Sequence, residues 1–296
     1  MCDSGIPMSS SAAGTLTVSD RAAVPFLLSI DYEDVRQELV RGFDNPDRLP
    51  PLTERWLAFL RTHGLTATFF VSGDTAEGHA PLIREIVSAG HEIGCHGWKH
   101  IPLTRYRPEA FTDDLRRSLD ALHAAGATRV IGFRAPYLSS TEASAWAYER
   151  LAELGFVYSS SVLPARNFLY GWPSFGTDPR RIAGVLELPV SVAWLGVLSP
   201  PFASGAYFRA VPWPVLRALF RRFRAARRPV LGYFHPQDID TGVRVRYQQY
   251  GVVGTACQYY NRGKVLTRLA ALFAEEHWPV MPYASYIERH SCPDRG

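Results

Sequence analysis

Short apolar runs alternate with amphipathic stretches over most of the chain. The runs are rich in β-branched and aromatic residues, which is typical of buried strands, and the stretches between them repeat apolar positions at helical spacing. The runs predict strands at residues 26–30, 67–71, 92–94, 129–133, 157–160, 186–192, 230–234 and 280–283. The stretches predict helices at residues 52–63, 81–89, 108–124, 142–154, 213–226 and 263–276. Ser139 and Glu142 have the spacing of a capping box, which predicts the start of the fourth helix there.

This alternation predicts an α/β fold in a single domain. Strands that are separated by helices pair in parallel through right-handed crossovers. Seven or eight such units favour a closed or nearly closed (β/α) barrel over an open sheet. Because catalytic groups of such barrels lie at the C-terminal ends of the strands, polar residues at those ends are the first candidates for chemistry.

The composition narrows the class of protein. Of 296 residues, 47% are hydrophobic and 20% are charged, which excludes a disordered chain, a collagen-like chain and a coiled coil. The net charge of +4 gives no argument for binding nucleic acid, and no such partner is expected. The four cysteines have neither zinc-knuckle nor disulfide spacing, which suits a reducing compartment.

Residues 1–24 are expected to form a disordered lead-in. They are rich in Ser, Ala, Thr and Gly, and they lack the basic start and apolar stretch of a signal peptide. Together with the cysteine spacing, this predicts a cytoplasmic location. The barrel domain is expected to cover residues 25–288, followed by a C-terminal tail at residues 289–296.

Three carboxylates follow the first predicted strand within four residues. Asp31, Glu33 and Asp34 would repel one another without a cation, so either a metal ion or an arginine is expected nearby. The alternative is a solvated turn in which one carboxylate caps a helix.

Two histidines four residues apart, His96 and His100, follow the third predicted strand. Neutral imidazoles at this spacing suit zinc or a similar divalent metal. Two histidines and one carboxylate would leave a coordination position open for water, which is the pattern of catalytic rather than structural sites. Such histidine pairs also arise by chance. The carboxylates after the first strand strengthen the interpretation as a metal site, because they supply a possible third ligand.

Two further strand ends carry candidate residues. Arg134 follows the fourth predicted strand, where a guanidinium can pair with a carboxylate, or can simply lie in a surface turn. His235 directly follows the strand at residues 230–234, which places it to act as a general acid. The alternative for His235 is a structural histidine whose hydrogen bonds are satisfied at the strand end.

The stretches that contain these residues resemble the motifs of the polysaccharide deacetylase family. This family, carbohydrate esterase family 4, includes the chitooligosaccharide deacetylases of nodulation. The first motif has an Asp-x-Glu-Asp form that is similar to a subgroup often encoded with exopolysaccharide and exosortase functions. The resemblance covers about residues 25–288 and implies a distorted seven-stranded (β/α) barrel. The matching stretches are residues 29–34, 66–71, 90–100, 132–136, 205–209 and 232–240.

The resemblance implies a divalent metal held by His96, His100 and a third ligand. Asp34 is expected to be that ligand, and Glu33 is its rival. The family's commoner motif has two adjacent aspartates, and the insertion in this chain makes the match to the second of them ambiguous. Two imidazoles and a carboxylate suit Zn²⁺, and also Co²⁺, Ni²⁺ or Fe²⁺.

The resemblance also assigns catalytic roles. Asp31 would be the base, held ionised by Arg134, and His235 would be the general acid. The backbone amide of Tyr137 would help to stabilise the oxyanion. Substrate binding is assigned to two aromatic residues, Trp98 and Tyr207.

The implied function is removal of an N-acetyl group from an amino sugar, giving acetate and a free amine. The sugar would be an N-acetylglucosamine-type residue of an oligosaccharide, a glycoside or a lipid-linked glycan. Two alternatives remain: a related metal-dependent hydrolase of a non-sugar amide or cyclic imide, and a catalytically silent carbohydrate-binding barrel. The oligomeric state does not follow from the sequence.

One departure from the subgroup concerns the acid histidine. An aspartate commonly follows the tyrosine of the fifth strand, but Ser159 follows Tyr158 here. If that aspartate supports the acid, His235 needs another partner, and Asp178 or Asp238 is available to replace it.

Two stretches raise the question of a membrane. Residues 188–208 carry no charge, but prolines interrupt them, so a buried strand followed by a loop is predicted rather than a membrane span. Residues 211–229 combine helically spaced apolar residues with six arginines. They are predicted to form an outer barrel helix with a solvated basic face, and peripheral contact with an anionic membrane is the alternative.

Overall fold

The computed structural model describes residues 24–166, 170–193, 199–242 and 244–291, and a curled β-sheet forms its centre. The predicted lead-in at residues 1–24 lies outside the described residues except for Val24, and the predicted tail does so from residue 292 onward. Within the described residues the sheet has nine strands: β1 Phe26–Tyr32, β2 Thr68–Val71, β3 Glu92–Cys95, β4 Gly132–Phe133, β5 Tyr158–Ser159, β6 Arg180–Ile182, β7 Val185–Glu187, β8 Val230–Phe234 and β9 Val280–Met281.

Helices cover the sheet and connect most of its strands. They are α1 Leu49–Thr62, α2 Gly73–Gly78, α3 Ala80–Ser88, α4 Pro108–Ala124, α5 Ala147–Glu153, α6 Gly205–Ala210, α7 Trp213–Ala225, α8 Gly251–Tyr259, α9 Val265–Glu276 and α10 Tyr283–Ser291. No helix in the described ranges combines the length and the apolar character that crossing a bilayer requires.

The strand order is β6-β7-β5-β4-β3-β2-β1-β8, with β9 also paired to β1. All pairs are parallel except β6 with β7. The predicted single-domain α/β barrel is therefore confirmed. Its sheet has nine strands where seven were expected, because the hairpin of β6 and β7 adds an antiparallel edge and β9 pairs with two residues of β1.

Alternation along β1 separates the two sides of the sheet. Phe26, Leu28 and Ile30 belong to the large core between sheet and helices, whereas Leu27 belongs to a smaller apolar cluster inside the curl. Because successive strand residues point to opposite sides, Ser29 and Asp31 share the inner side with Leu27. The interior therefore changes from apolar to polar toward the C-terminal end of β1.

Some predicted boundaries differ from the structure for local reasons. Thr141 and Ser144 form the observed capping box, while the Ser139 hydroxyl accepts a hydrogen bond from the Leu103 amide at 2.9 Å. The predicted strand at residues 186–192 stops at Glu187, since Pro189 has no amide proton for the ladder. The prediction missed α2, α6, α8 and α10, which are short.

The arginine-rich stretch forms α7, and its apolar side packs inward through Leu216, Leu219, Phe220 and Phe223. The Arg217 guanidinium lies 3.1 Å from the Glu275 carboxylate, and that of Arg228 donates to the Thr177 carbonyl at 2.7 Å. This is the packing of an outer barrel helix. Peripheral contact with an anionic membrane stays the untested alternative.

Close packing around Gly132 predicts a loss of stability in Gly132→Ala. A methyl group there would overlap the ring of Tyr158, which is fully buried. Overpacking of this kind costs about 1–3 kcal/mol in the free energy of unfolding, to be measured by urea denaturation. Gly78→Ala is the matched control because nothing lies within 4 Å of the added methyl, and equal stability of the two variants would contradict the prediction.

Candidate active site

The candidate side chains meet at the C-terminal ends of β1, β3, β4 and β8. Several of them line a cavity of about 460 Å³. Its wall includes Asp31, Glu33, His100, Tyr137 and His235 from the predicted set. Tyr207 of α6 also lines it, and its role in substrate binding stays a prediction.

Glu33, His96 and His100 each offer one ligand atom, and these atoms lie within 4.8 Å of one another. His96 directly follows β3, and its Nδ1 lies 2.7 Å from the Arg134 carbonyl oxygen. Since a carbonyl can only accept, Nδ1 carries the proton and Nε2 is left with its lone pair. That Nε2 atom is buried and has no hydrogen-bond partner among the described residues.

His100 is oriented in the same way by a carboxylate. Its Nδ1 lies 2.9 Å from Glu38 Oε1, so Nδ1 is the donor and Nε2 faces Glu33. Glu33 Oε2 lies 3.0 Å from His100 Nε2. Two imidazole nitrogens and a carboxylate oxygen thus converge on one point, as the ligands of a metal do.

The charge around this point also fits a divalent cation. Asp31, Glu33 and Glu38 bring three carboxylates, and Arg134 offers one guanidinium against them. A bound cation would offset this excess of carboxylates. Nitrogen and oxygen donors of this kind suit zinc and its neighbours among the transition metals.

The pKa shifts of the metal-free protein reflect the same crowding of charge. Burial lowers the pKa of His96 to about 4, so this imidazole is neutral. Burial would also lower the pKa of His100, but Glu33 and Glu38 outweigh it and raise the pKa to about 10. Burial alone would raise the pKa of Glu33, and the charge of His100 instead lowers it to about 2.

Asp34, the expected third ligand, faces away from the histidines. Its carboxylate accepts from Nη2 of Arg36 at 2.6 Å and from Nε at 2.8 Å, and it accepts from the Arg36 amide at 3.0 Å. Asp34 thus caps the 3₁₀ turn at Val35–Glu38. Glu33 rather than Asp34, the expected third ligand, lies beside the histidines, because the inward side that begins with Asp31 continues at Glu33.

Arg134 is completely buried and holds Asp31. Its Nη1 donates to Asp31 Oδ1 at 2.6 Å and to the Ser29 hydroxyl at 2.7 Å. Its Nε donates to the Ser160 carbonyl at 2.9 Å, and Nη2 donates to the Tyr283 hydroxyl at 2.9 Å. These bonds fix the guanidinium, which compensates the charge of Asp31 and fixes its position in the cavity wall.

Asp238 is the partner of His235. Its Oδ2 lies 3.2 Å from His235 Nδ1 and accepts from the His235 amide at 2.8 Å, and Arg209 contacts its other oxygen. Asp178, the other aspartate considered, is 90% exposed and lies beside Arg228. Ser159 bonds the hydroxyl of Ser161 at 2.7 Å.

This arrangement supports a protonated His235. Burial lowers the pKa of His235, but the bond to Asp238 outweighs burial and raises it. Burial alone would raise the pKa of Asp238, but the charge of Arg209 outweighs burial and holds that pKa well below its usual range. Gly205 makes room for the pair, since a methyl group there would overlap the Asp238 carboxylate.

Tyr137 adopts a left-handed backbone conformation with a φ of 58°, which is uncommon for a residue with a side chain. Its ring centroid lies 4.1 Å from that of His100, and its hydroxyl donates to Glu38 at 2.6 Å. The structure therefore brings Tyr137 to the site. A role of its backbone amide with an oxyanion stays a prediction.

Trp98 does not reach the cavity. It is 7% exposed, and the guanidinium of Arg117 lies 3.5 Å above its ring. Its ring also packs closely against Gly73 of α2. Trp98 instead fills space between the loop after β3 and helices α2 and α4, and its predicted role in substrate binding has no support from this position.

Sequence reasoning missed Glu38 and left the partner of His235 open. Glu38 lies seven residues after Asp31, and nothing in the local pattern separates it from its acidic neighbours. Asp238 has one usable signal, since it lies three residues after His235 at the N-terminus of a 3₁₀ turn, where a side chain can bond back to the preceding amide.

Family models match most of the chain. The model described as polysaccharide deacetylase matches residues 34–158, which include both histidines of the cluster. A second model, described as a domain of unknown function (DUF3473), matches residues 160–284, which include His235 and Asp238.

Two curated relatives and one solved structure agree with the first model. The peptidoglycan deacetylase of Helicobacter pylori is 30% identical over 146 residues, which are 48% of this chain and 46% of the relative. The chitooligosaccharide deacetylase of a Bradyrhizobium species is 33% identical over 103 residues, which are 34% of this chain and 46% of the relative. The match thus spans less than half the length of either relative.

A crystal structure from Mycobacterium smegmatis, which carries a polysaccharide deacetylase assignment, has the same fold. It aligns with a TM-score of 0.60 and 21% identity over 90% of each chain. The matched family model and the curated relatives point the same way, and the crystal structure shares the fold. Over residues 34–158, the chain is similar to the polysaccharide deacetylase family.

Proposed function

We propose that the protein is a divalent-metal-dependent N-deacetylase that removes the acetyl group from an amino sugar and releases acetate and a free amine. The observation that carries the proposal is a single cavity at which a cation-binding cluster, a carboxylate and a protonatable histidine meet. These groups are Glu33, His96, His100, Asp31 and His235.

Glu33, His96 and His100 would hold the cation, and zinc suits this donor set best. Bound there, it supplies the Lewis acidity that a water molecule and a poorly electrophilic amide carbonyl require. Asp31 accepts the proton of the attacking water. The guanidinium of Arg134 keeps that carboxylate in place during the transfer, because its other bonds are to fixed groups of the barrel.

His235 serves as the general acid. An amide nitrogen leaves as a neutral amine only after it has gained a proton, and His235 lines the cavity with its pKa raised by Asp238. The backbone amide of Tyr137 is the candidate donor to the oxyanion.

Amino sugars fit the character of the cavity wall. Its tyrosine rings can pack against the apolar faces of a sugar while their hydroxyls bond its polar groups. The names of the relatives, peptidoglycan deacetylase and chitooligosaccharide deacetylase, refer to glycans that carry acetylated amino groups. The tyrosines of the wall are Tyr137, Tyr170, Tyr207, Tyr233, Tyr247 and Tyr250.

The test is acetate release by the purified protein. We expect release from N-acetylated chitooligosaccharides or N-acetylglucosamine glycosides, loss of release after chelation and recovery on addition of Zn²⁺ or Co²⁺. Asp31→Asn should release no acetate while it retains the metal, which excludes a contaminating hydrolase. Metal content of the wild type and of His96→Ala, measured by mass spectrometry, shows whether the cluster holds the ion.

The alternatives give different results in the same assay. Hydrolysis of ureides without acetate release from acetylated sugars would assign the protein to the amide and cyclic imide hydrolases. A metal-loaded protein that hydrolyses neither class would be a carbohydrate-binding barrel. Either result would overturn the proposed deacetylase.

A further inference from the structure

Glu38 joins the candidate metal centre to the part of the cavity wall formed by residues 244–250. It lies at the end of the 3₁₀ turn that follows β1, and its side chain is 13% exposed. Its Oε1 accepts from His100 Nδ1 at 2.9 Å and from the Tyr137 hydroxyl at 2.6 Å. Its Oε2 accepts from the Gln249 side-chain amide at 2.6 Å.

The backbone at Glu38 and at the residue after it is fixed by the same part of the chain. The Gln248 amide donates to the Glu38 carbonyl at 2.9 Å, and Leu39 forms an antiparallel bridge with Tyr247. The segment at residues 244–250 therefore holds both the backbone and the carboxylate of Glu38. Three of its residues, Tyr247, Gln249 and Tyr250, line the cavity.

We infer that Glu38 is a positioning residue that aims His100 Nε2 at the metal and ties this ligand to the cavity wall at residues 244–250. The inference rests on the metal centre of the proposed function. Glu38 itself neither belongs to the ligand cluster nor takes part in the proposed proton transfers, so positioning is a separate role.

The contacts of His100 leave its ring one orientation. Glu38 fixes the Nδ1 edge, the ring of Tyr137 covers one face at 4.1 Å, and Nε2 points to Glu33. A carboxylate that accepts from the remote nitrogen of a ligand histidine fixes its tautomer and makes the other nitrogen a better donor to the metal. Removal of such a partner lowers metal affinity by about 10–100-fold.

A direct contact with substrate explains Glu38 less well. Both of its oxygens already accept hydrogen bonds from this chain, and Oε1 accepts two. A substrate hydroxyl would have to displace one of them. The three donors come from distant parts of the chain, which is the arrangement expected of a residue that holds these parts in position.

The experiment measures metal affinity and ligand geometry without any activity assay. Wild type, Glu38→Ala, Glu38→Gln and Glu54→Ala are stripped of metal, and their Kd for Zn²⁺ is determined by competition with a chromogenic chelator. The visible spectrum of each Co²⁺-loaded protein reports the geometry of the ligands. Glu54 is an exposed residue of α1 and serves as the matched control.

We expect the Kd of Glu38→Ala to rise about 10–100-fold and its Co²⁺ spectrum to change, because His100 is free to turn. Glu38→Gln keeps an accepting oxygen but loses its charge, so its Kd should rise by less, about 3–10-fold. Glu54→Ala should match the wild type in both readouts. Circular dichroism of the metal-free variants confirms that they are folded.

A Kd within twofold of the wild type and an unchanged spectrum for Glu38→Ala would overturn the inference. If Glu38→Ala fails to fold, the same result for Glu38→Gln would overturn it. A protein that shows the expected affinities but releases no acetate refutes the proposed deacetylase and leaves the role of Glu38 intact. A wild type that binds no metal refutes both.

Discussion

Glu33→Ala should lose metal binding almost completely. Its Oε2 is the only carboxylate oxygen in the cluster of ligand atoms found among the described residues, and two imidazoles alone bind a divalent cation weakly. Loss of a direct ligand should exceed the 10–100-fold effect typical of its outer partners, so we expect metal affinity to fall by more than about 100-fold. Acetate release should fall with it. Metal content after dialysis and initial rates with acetylated chitooligosaccharides measure the two effects.

Asp34→Ala is the matched control for this prediction. Asp34 is the adjacent carboxylate and is equally buried, but it bonds Arg36 and caps a turn. Its removal should cost about 1 kcal/mol in the free energy of unfolding, as loss of a cap does, and leave the metal in place. If Asp34→Ala lost the metal and Glu33→Ala retained it, the ligand set derived from the structure would be wrong.

The choice between Glu33 and Asp34 shows what a sequence pattern can and cannot decide. Strand alternation from Asp31 places Glu33 on the inner side, so period two alone favours Glu33. That rule holds only while the backbone stays extended, and the sequence does not show where β1 ends. The structure extends β1 to Tyr32 and begins the turn after Asp34, which is what keeps Glu33 inside.

Contacts between distant segments of the chain could not be predicted from local sequence patterns. Glu38 meets Gln249 across 211 residues and Tyr137 across 99, so no window of the sequence contains the pair. Trp98 shows that closeness in sequence does not ensure closeness in the site. It lies two residues after His96, yet the loop turns its ring toward α2 and α4 instead of the cavity.

The fold was more predictable because it depends on repeated local signals. The predicted helix at residues 108–124 and the strand at residues 230–234 have the bounds that the structure shows. The hairpin edge at Arg180–Ile182 was missed because its strand carries two arginines and is mostly exposed, so it gives no apolar run. The candidate residues His96 and His235 could be picked out from the sequence because each directly follows a buried apolar run.

Asp238→Asn should slow deacetylation and move its pH dependence. Asp238 raises the pKa of His235, so the neutral amide should let that pKa fall. A general acid works only while it is protonated, and the decline of activity at high pH should therefore begin at a lower pH in the variant. Loss of the charged partner should also reduce the rate by about 10²-fold at neutral pH, within the usual range for general acid catalysis. A profile of kcat/KM against pH measures both changes.

The matched control is Asp178→Asn, which removes the other aspartate that the sequence offers as a partner. Asp178 is exposed and lies 3.6 Å from Arg228, so its replacement should leave the rate and the pH profile unchanged. Gly205→Ala provides a second route to the same effect, because its methyl group would push the Asp238 carboxylate away from His235 without removing its charge. Thermal melting of each variant separates this effect from unfolding, which is a concern because Arg209 is completely buried beside Asp238. If a folded Asp238→Asn kept the wild-type pH profile, His235 would not be the group whose protonation limits the reaction.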